Sequence, residues 1–132
     1  MLLLLLAVVV VLALVRLLTP QQKLSKTFVL CILARVVIAA CALSAELRAP
    51  LLLFLLATAC AWLLMATGLV RRDTGPEAGG EIWWKDLRVF HSLFYFMAAF
   101  FVYSGERKSA FLILLSDVAF GSTMRYTYRS TE

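Results

Sequence analysis

Long apolar blocks, separated by short polar segments, constrain what this chain can fold into. They cover residues 2–18, 27–45, 51–70, 86–103 and 109–126. A hydrocarbon layer about 30 Å thick needs roughly 20 apolar residues in a helix, and the blocks are close to that length. Of the 132 residues, 63% are hydrophobic and 16% are charged, whereas a soluble domain is nearer half apolar and about a quarter charged. The sequence therefore predicts an all-α fold, a polytopic transmembrane bundle of five spans with a cytosolic loop at 71–85.

The first block, residues 2–18, contains one charged residue, Arg16. A cleaved secretory signal has a basic segment before its apolar run and small residues at the cleavage site. Here Arg16 follows most of the apolar run, and the sequence Thr-Pro-Gln-Gln comes soon after it. We therefore expect a retained first helix; cleavage would leave four spans and the same orientation.

Basic residues are distributed unequally between the two ends of the predicted spans. One side of the membrane would collect Arg16, Lys23, Lys26, Arg71, Arg72, Lys85, Arg88, Arg125 and Arg129. The other side would have Arg48, Arg107 and Lys108. Since positive charge is retained in the cytosol, the asymmetry predicts an external N-terminus and a cytosolic C-terminus. The basic residues assigned to contacts with anionic lipid or a protein partner are Arg71, Arg72, Lys85, Arg125 and Arg129. No nucleic-acid partner is expected.

Two ionisable residues, Arg35 and Asp117, lie deep within the predicted spans. Each would cost several kcal/mol alone in lipid, so both are expected to face protein. At 1.5 Å per residue, both lie about 12 Å from the cytosolic ends of their helices. We expect them to pair, because a guanidinium and a carboxylate can form two parallel hydrogen bonds. Such a pair would dock the second span on the fifth; a role in ion or proton movement and the absence of any contact are the alternatives.

A second set of polar residues follows the fourth span at spacings of four, three and four, which places them on one helix face. These residues are Trp84, Arg88, His91 and Tyr95. Gly121, one turn after Asp117, would allow the fourth span to approach closely. The simplest interpretation is that the face packs on the fifth span and His91 donates a hydrogen bond to a neighbouring helix. A proton relay is the alternative, since histidine titrates near neutrality.

The sequence contains no recognisable catalytic or metal-binding pattern. Its single histidine and scattered serines provide no nucleophile with a base at a usable spacing. Cys31, Cys41 and Cys60 lie within apolar blocks without a C-x-x-C spacing, which favours packing over a disulfide or metal ligation. We expect neither an enzyme nor a cofactor.

Residues 83–121 carry a pattern of their own. Trp83 and Trp84 precede an R-x-x-H-x-x-x-Y helix, Arg88 to Tyr95; a short basic turn and Leu114 lead to L-x-D-x-x-x-G, Leu115 to Gly121. Over about forty residues this resembles small multi-span membrane proteins encoded by large double-stranded DNA viruses of algae and protists. The resemblance implies a protein of the internal membrane of a virion, beneath the capsid and touching its inner layer. It implies no catalytic residues.

The leading hypothesis is a non-enzymatic structural or assembly protein of a membrane, because the specific features of the sequence serve spanning, orientation and pairing of helices. Its partner surface would be the loop 71–85 with the tail after Arg125. The second hypothesis is a small ion- or proton-coupled channel or transporter using Arg35, His91, Tyr95 and Asp117. The third is an accessory membrane subunit of a larger complex. Other proteins of such an assembly are the expected protein partners, and a homo-oligomer is left open.

Overall fold

The computed structural model describes residues 26–75, 80–81 and 84–129, and most of these residues are helical. The four helices are α1 (Lys26–Cys41), α2 (Arg48–Ala66), α3 (Arg88–Ser104) and α4 (Arg107–Arg129). A 3-10 turn, Lys85–Leu87, leads into α3. The loop between α2 and α3 contains a two-residue antiparallel pair, β1 (Thr74–Gly75) with β2 (Gly80–Glu81). The fold is therefore all-α, and the first predicted span, 2–18, lies outside the described residues.

The helices overlap with the second to fifth predicted spans, but their ends differ from the predicted ones. α1 ends at Cys41 rather than at 45, and α2 begins at Arg48 rather than at 51. The residues between these two helices include Ala42 and Leu43, which continue the apolar block, so hydropathy does not mark the turn. α2 ends at Ala66 rather than at 70, because Gly68 follows it with a φ of +78°, a left-handed conformation that stops helices.

Three helix pairs make the main contacts: α2 with α3, α3 with α4, and α4 with α1. The helices therefore follow the order α2, α3, α4, α1, in which α1 and α2 are neighbours in the chain but not extensively packed on each other. Small residues let the packed pairs approach closely. The buried alanines of this core are Ala39, Ala42, Ala59, Ala98, Ala99 and Ala110. Ser92 adds a hydrogen bond between α3 and α2, donating to the Ala59 carbonyl at 2.9 Å.

Part of the outer surface of the helices is apolar. Large apolar side chains are exposed on each helix, among them Leu30, Leu53, Phe100 and Leu112. Among the described residues, two segments, Arg48–Ala66 and Lys85–Ser104, are long and apolar enough to cross a membrane, so the bundle of five spans stays a prediction. In the most apolar 18-residue window of the first segment, only 17% of the residues are buried. α2 is therefore not the buried central helix of a water-soluble core.

The connections between helices lie at two opposite ends of the structure. At the turn end, the α1–α2 turn lies beside the α3–α4 turn, where Arg107 donates to the Leu43 carbonyl at 3.4 Å and Arg48 donates to that of Tyr103. We call the opposite end the loop end. It holds the α2–α3 loop, the start of α1 and the last turns of α4. The site described next lies between these ends, toward the loop end.

Candidate functional site: a buried polar cluster beside a cavity

Three side chains from three helices meet inside the structure: Arg35 of α1, His91 of α3 and Asp117 of α4. Arg35 Nη2 donates to Asp117 Oδ2 and lies 2.9 Å from His91 Nδ1. His91 Nδ1 is also hydrogen-bonded to Asp117 Oδ1. Asp117 is 1% exposed and His91 is 4% exposed. Each carboxylate oxygen of Asp117 therefore has a partner on a different helix, and the carboxylate is removed from solvent.

The proton on the His91 ring has a preferred position. Nδ1 can hold one proton or one lone pair, yet it lies between a guanidinium donor and a carboxylate acceptor. A lone pair on Nδ1 would face the carboxylate oxygen without a proton between them, whereas an N–H satisfies that oxygen. We therefore assign Nδ1–H as the donor to Asp117. In a neutral ring Nε2 then carries the lone pair, and it is the nitrogen available to a ligand.

Further residues complete the cluster. Tyr95 is buried one turn after His91 on α3. Trp62 of α2 packs on the His91 ring with the ring centroids 5.3 Å apart, so all four helices contribute. A Cβ atom at Gly121 would lie 3.2 Å from Arg35 Nη1 and 3.4 Å from His91 Cε1. Gly121 therefore leaves room for the Arg35 guanidinium as well as for α3, the helix whose close approach was expected.

A cavity of about 270 Å³ lies between α1 and α2, beside the cluster. The side of the cavity next to the cluster is lined by Arg35, His91, Tyr95 and Gly121. Its other lining residues are Phe28, Cys31, Thr58, Trp62, Arg72, Trp84 and Leu87. The polar cluster is thus reached through a largely aromatic and apolar opening.

Arg88 does not belong to the cluster, contrary to the prediction that it shares the face of His91 and Tyr95 toward the fifth span. It is buried at the end of α2, where Nη1 donates to the Met65 carbonyl at 3.3 Å and Nη2 donates to that of Arg72. The last carbonyls of a helix have no partner within it and attract a cation. The spacing was right for the helix face, but the long side chain of Arg88 extends to a neighbouring helix end.

Trp84, the first residue of the predicted face, precedes the 3-10 turn and lines the cavity. The predicted face is thus divided in two. His91 and Tyr95 reach the polar cluster, whereas Arg88 binds the end of α2.

Arg125 was predicted to face lipid or a partner, and this prediction is wrong. It is 9% exposed, and its guanidinium carbon lies 3.8 Å from the ring centroid of Phe28. A cation over an aromatic face is stabilised by the ring quadrupole, and the methylene stem buries apolar surface. Arg125 therefore joins α4 to α1 in the interior.

The other predicted basic residues have different surroundings. Arg71 is exposed, and Arg72 is exposed but also lines the cavity. Lys85 pairs with Asp73 at 3.3 Å near the surface. The side chain of Arg129 lies outside the described residues.

Sequence reasoning missed Trp62 and the roles of Arg48 and Arg107. Trp62 lies in the middle of an apolar block, where nothing in the pattern distinguishes it from a residue on an outer face. Arg48 and Arg107 lie just before the predicted starts of their spans, and the structure places each at the first residue of a helix, near the carbonyl end of another.

Within the described part of the chain, no three His, Cys, Asp or Glu side chains form a group that could hold a metal ion. Comparison of the chain with protein-family models, curated proteins and solved structures finds no match. Functional inference therefore rests on the residues of the site and their surroundings.

Proposed function

We propose that the protein is a non-enzymatic integral membrane protein with a structural or assembly role, and that five helices of the chain span the bilayer. The observation that carries the proposal is the distribution of polarity. Leu53 is 70% exposed and Phe100 is 63% exposed, whereas Asp117 is 1% exposed. Monomers in water rarely expose continuous apolar faces, but such faces are ordinary in contact with hydrocarbon. Ionisable groups inside a membrane bundle pair with one another, as Arg35 and Asp117 do.

The proposed orientation has the N-terminus outside and the C-terminus in the cytosol, or the equivalent in a virion membrane. It is supported by the nine basic residues assigned to one side against three on the other. Among these, Arg71, Arg72 and Lys85 lie in the connection at the loop end, and Arg48 and Arg107 lie at the turn end.

The proposed role of the polar cluster is to fix the arrangement of the spans. Asp117 binds side chains of α1 and α3 while α4 packs on both helices. A carboxylate shared in this way specifies one rotation of each helix, because any other rotation leaves an unpaired charge in hydrocarbon. The result is a rigid unit that presents the α2–α3 loop to a partner.

The proposed setting is the internal membrane of a virion, with the loop end beneath the capsid. This part of the proposal is supported by the resemblance of residues 83–121 to membrane proteins of large DNA viruses. The loop 71–85 carries three basic and three acidic residues, a pattern that suits contact with a protein surface of mixed charge.

A triple variant tests the assembly role. We expect Arg71→Gln, Arg72→Gln and Lys85→Gln together to abolish co-purification of partners in mild detergent, since the loop loses three positive charges. Membrane insertion, measured as resistance to carbonate extraction, should stay unchanged. The control variant carries Arg107→Gln with Lys108→Gln at the turn end and should retain the partners. Unchanged co-purification by the triple variant would count against the assembly role.

Ion- or proton-coupled transport is the second candidate function. It is favoured by one observation, that the cavity reaches His91 and Arg35. Transport also needs a continuous water path, which pairing does not. Flux into liposomes containing the purified protein separates the two functions: absence of flux, or flux unchanged by Asp117→Asn, rejects transport. An accessory-subunit role differs only in partners and would be recognised by co-purification of a larger complex.

A further inference from the structure

A cleft lies between the α1–α2 turn and the α3–α4 turn, at the turn end of the structure. Its volume is about 240 Å³, below the roughly 300 Å³ at which pockets for drug-sized ligands begin. Its apolar lining includes Ala42, Leu51 and Val102. Two arginines, Arg48 and Arg107, also line it. The cleft therefore has room for a small charged group rather than for a large ligand.

The positive charge of these two arginines is not neutralised within the described part of the chain. Arg48 donates one hydrogen bond to the Tyr103 carbonyl, and Arg107 donates one to the Leu43 carbonyl at 3.4 Å. A carbonyl dipole stabilises a guanidinium but carries no net charge. No carboxylate among the described residues forms an ion pair with either guanidinium. Since a guanidinium has five N–H donors, each arginine keeps donors for a ligand.

The other charged side chains of the two turns lie outside the cleft. Glu46 is exposed and does not line it. Glu106 does not line it either, and accepts a hydrogen bond from the Ser109 hydroxyl at 3.0 Å. Lys108 is exposed beyond the residues that line the cleft. The charges that border the cleft are therefore those of the two arginines, which favour an anion.

Two guanidinium groups at one cleft favour a phosphate over a carboxylate. A guanidinium presents parallel N–H donors to two oxygens of either group. A carboxylate has only two oxygens, whereas a phosphate has enough to accept from both arginines. The Ser44 hydroxyl lines the same cleft and is a further donor. A phosphate group also carries close to two negative charges at neutral pH, which Arg48 and Arg107 together balance.

We propose that this cleft binds a phosphate group between Arg48 and Arg107. The phosphate comes from a lipid headgroup or from the free ion, and competition between the two distinguishes these sources. Binding is measured in detergent, so it depends neither on the proposed orientation nor on the assembly role. A protein that spans the bilayer but binds no phosphate refutes this inference alone.

Isothermal titration calorimetry with inorganic phosphate tests the proposal on the purified full chain in nonionic detergent without added lipid. We expect one phosphate to bind each wild-type protein. Arg48→Gln and Arg107→Gln should each weaken binding about tenfold, the loss for a charge-assisted hydrogen bond. The matched control is Lys108→Gln, which removes the same charge from an exposed residue outside the cleft and should leave binding unchanged. No binding by the wild-type protein, or an equal loss in all three variants, overturns the proposal.

Blocking the cleft gives a second test that leaves every charge in place. Ala45 lines the cleft and Ala49 does not, although both are exposed. Ala45→Trp should abolish phosphate binding, whereas Ala49→Trp should keep it, with folding of both proteins checked by circular dichroism. Unchanged phosphate binding by a folded Ala45→Trp protein overturns the proposal.

Acetate tests the chemistry of the ligand, because its carboxylate has the charge of one arginine and two oxygens. We expect acetate to bind about tenfold more weakly than phosphate, since it loses at least one charge-assisted hydrogen bond. Equal affinities for acetate and phosphate overturn the proposal.

Phosphatidic acid, added in mixed micelles, presents the same phosphate on a lipid. Displacement of inorganic phosphate by phosphatidic acid, but not by phosphatidylcholine, supports the proposal with a lipid headgroup as the source. Retention of inorganic phosphate in the presence of phosphatidic acid supports it with the free ion as the source.

Discussion

Asp117 accepts hydrogen bonds from Arg35 and His91, and its burial determines how much those bonds matter. An ionised carboxylate alone in an apolar interior is strongly destabilising, and so is an arginine left without its carboxylate. Paired, the two charges cancel, and His91 uses the second carboxylate oxygen. The energetic consequence lies less in the net gain from the pair than in the cost of breaking it.

Asp117→Asn should destabilise the protein by about 3 kcal/mol, because the charge of Arg35 then remains buried without a counter-ion. Unfolding by SDS in mixed micelles, followed by circular dichroism, measures the change. Arg35→Met combined with Asp117→Leu should recover most of the loss, since it removes both charges at similar volume. Glu46→Gln, an exposed carboxylate in the α1–α2 turn, should have little effect. Equal destabilisation by Glu46→Gln and Asp117→Asn would contradict this assignment.

At the scale of single residues, the sequence predicted one pair of side chains in contact but not all the contacts of the polar cluster. Arg35 and Asp117 were paired by depth, and the structure brings them together. His91 was placed about one turn away from Asp117, yet the two are hydrogen-bonded. An offset of one helical turn is about 5.4 Å, a distance that the two side chains bridge. Side-chain reach of this kind cannot be obtained from helical spacing alone.

Arginines at helix starts form a recurring pattern at the scale of the elements. Arg48, Arg88 and Arg107 are the first residues of α2, α3 and α4. Each donates to a carbonyl in or just after the last turn of another helix, at Tyr103, Met65 and Leu43 respectively. The unpaired carbonyls of a helix end carry partial negative charge, so a neighbouring arginine stabilises them. The arginines thus link helix ends as well as marking polar segments.

Arg88→Met should loosen the end of α2, because it removes two hydrogen bonds to carbonyls at a buried position, at a cost of about 2 kcal/mol. Hydrogen exchange at the amides of Leu63 to Gly68 should become faster. Arg107→Met removes one long hydrogen bond at an exposed position and should accelerate exchange near its own contact, at Leu43, by less. Accelerations of equal size in the two variants would contradict the proposed difference in burial.

Helix ends were the least predictable feature of the elements. The end of α1 at Cys41 and the start of α2 at Arg48 are set by a chain reversal within apolar sequence, which hydropathy cannot detect. By contrast, Gly105 marks the end of α3 in the sequence and adopts a φ of +82° in the structure, with the Glu106 amide returning to the Phe101 carbonyl at 2.9 Å. A helix end at a glycine can thus be recognised in the sequence, whereas a chain reversal within apolar sequence cannot.

At the scale of the whole molecule, α3 and α4 form the centre and α1 and α2 flank them. Hydropathy gave no information on this order, because all blocks are similarly apolar. The polar residues indicate the order of the helices instead. Asp117 binds side chains of α1 and α3, which places both beside α4, and Ser92 joins α3 to α2 by a hydrogen bond. The cavity between the flanking helices follows from the same arrangement.

The central claim is that α2 and α3 cross a bilayer in opposite directions, so that the loop end and the turn end lie on opposite sides. The most direct measurement places single cysteines at Thr74 and at Glu106 in a variant whose three native cysteines are alanine. Both positions are exposed, one in the α2–α3 loop and one in the α3–α4 turn. In intact cells, a membrane-impermeant maleimide should label Glu106→Cys and should label Thr74→Cys only after the membrane is permeabilised. Labelling of both from the same side, or extraction of the protein by carbonate, would contradict the account.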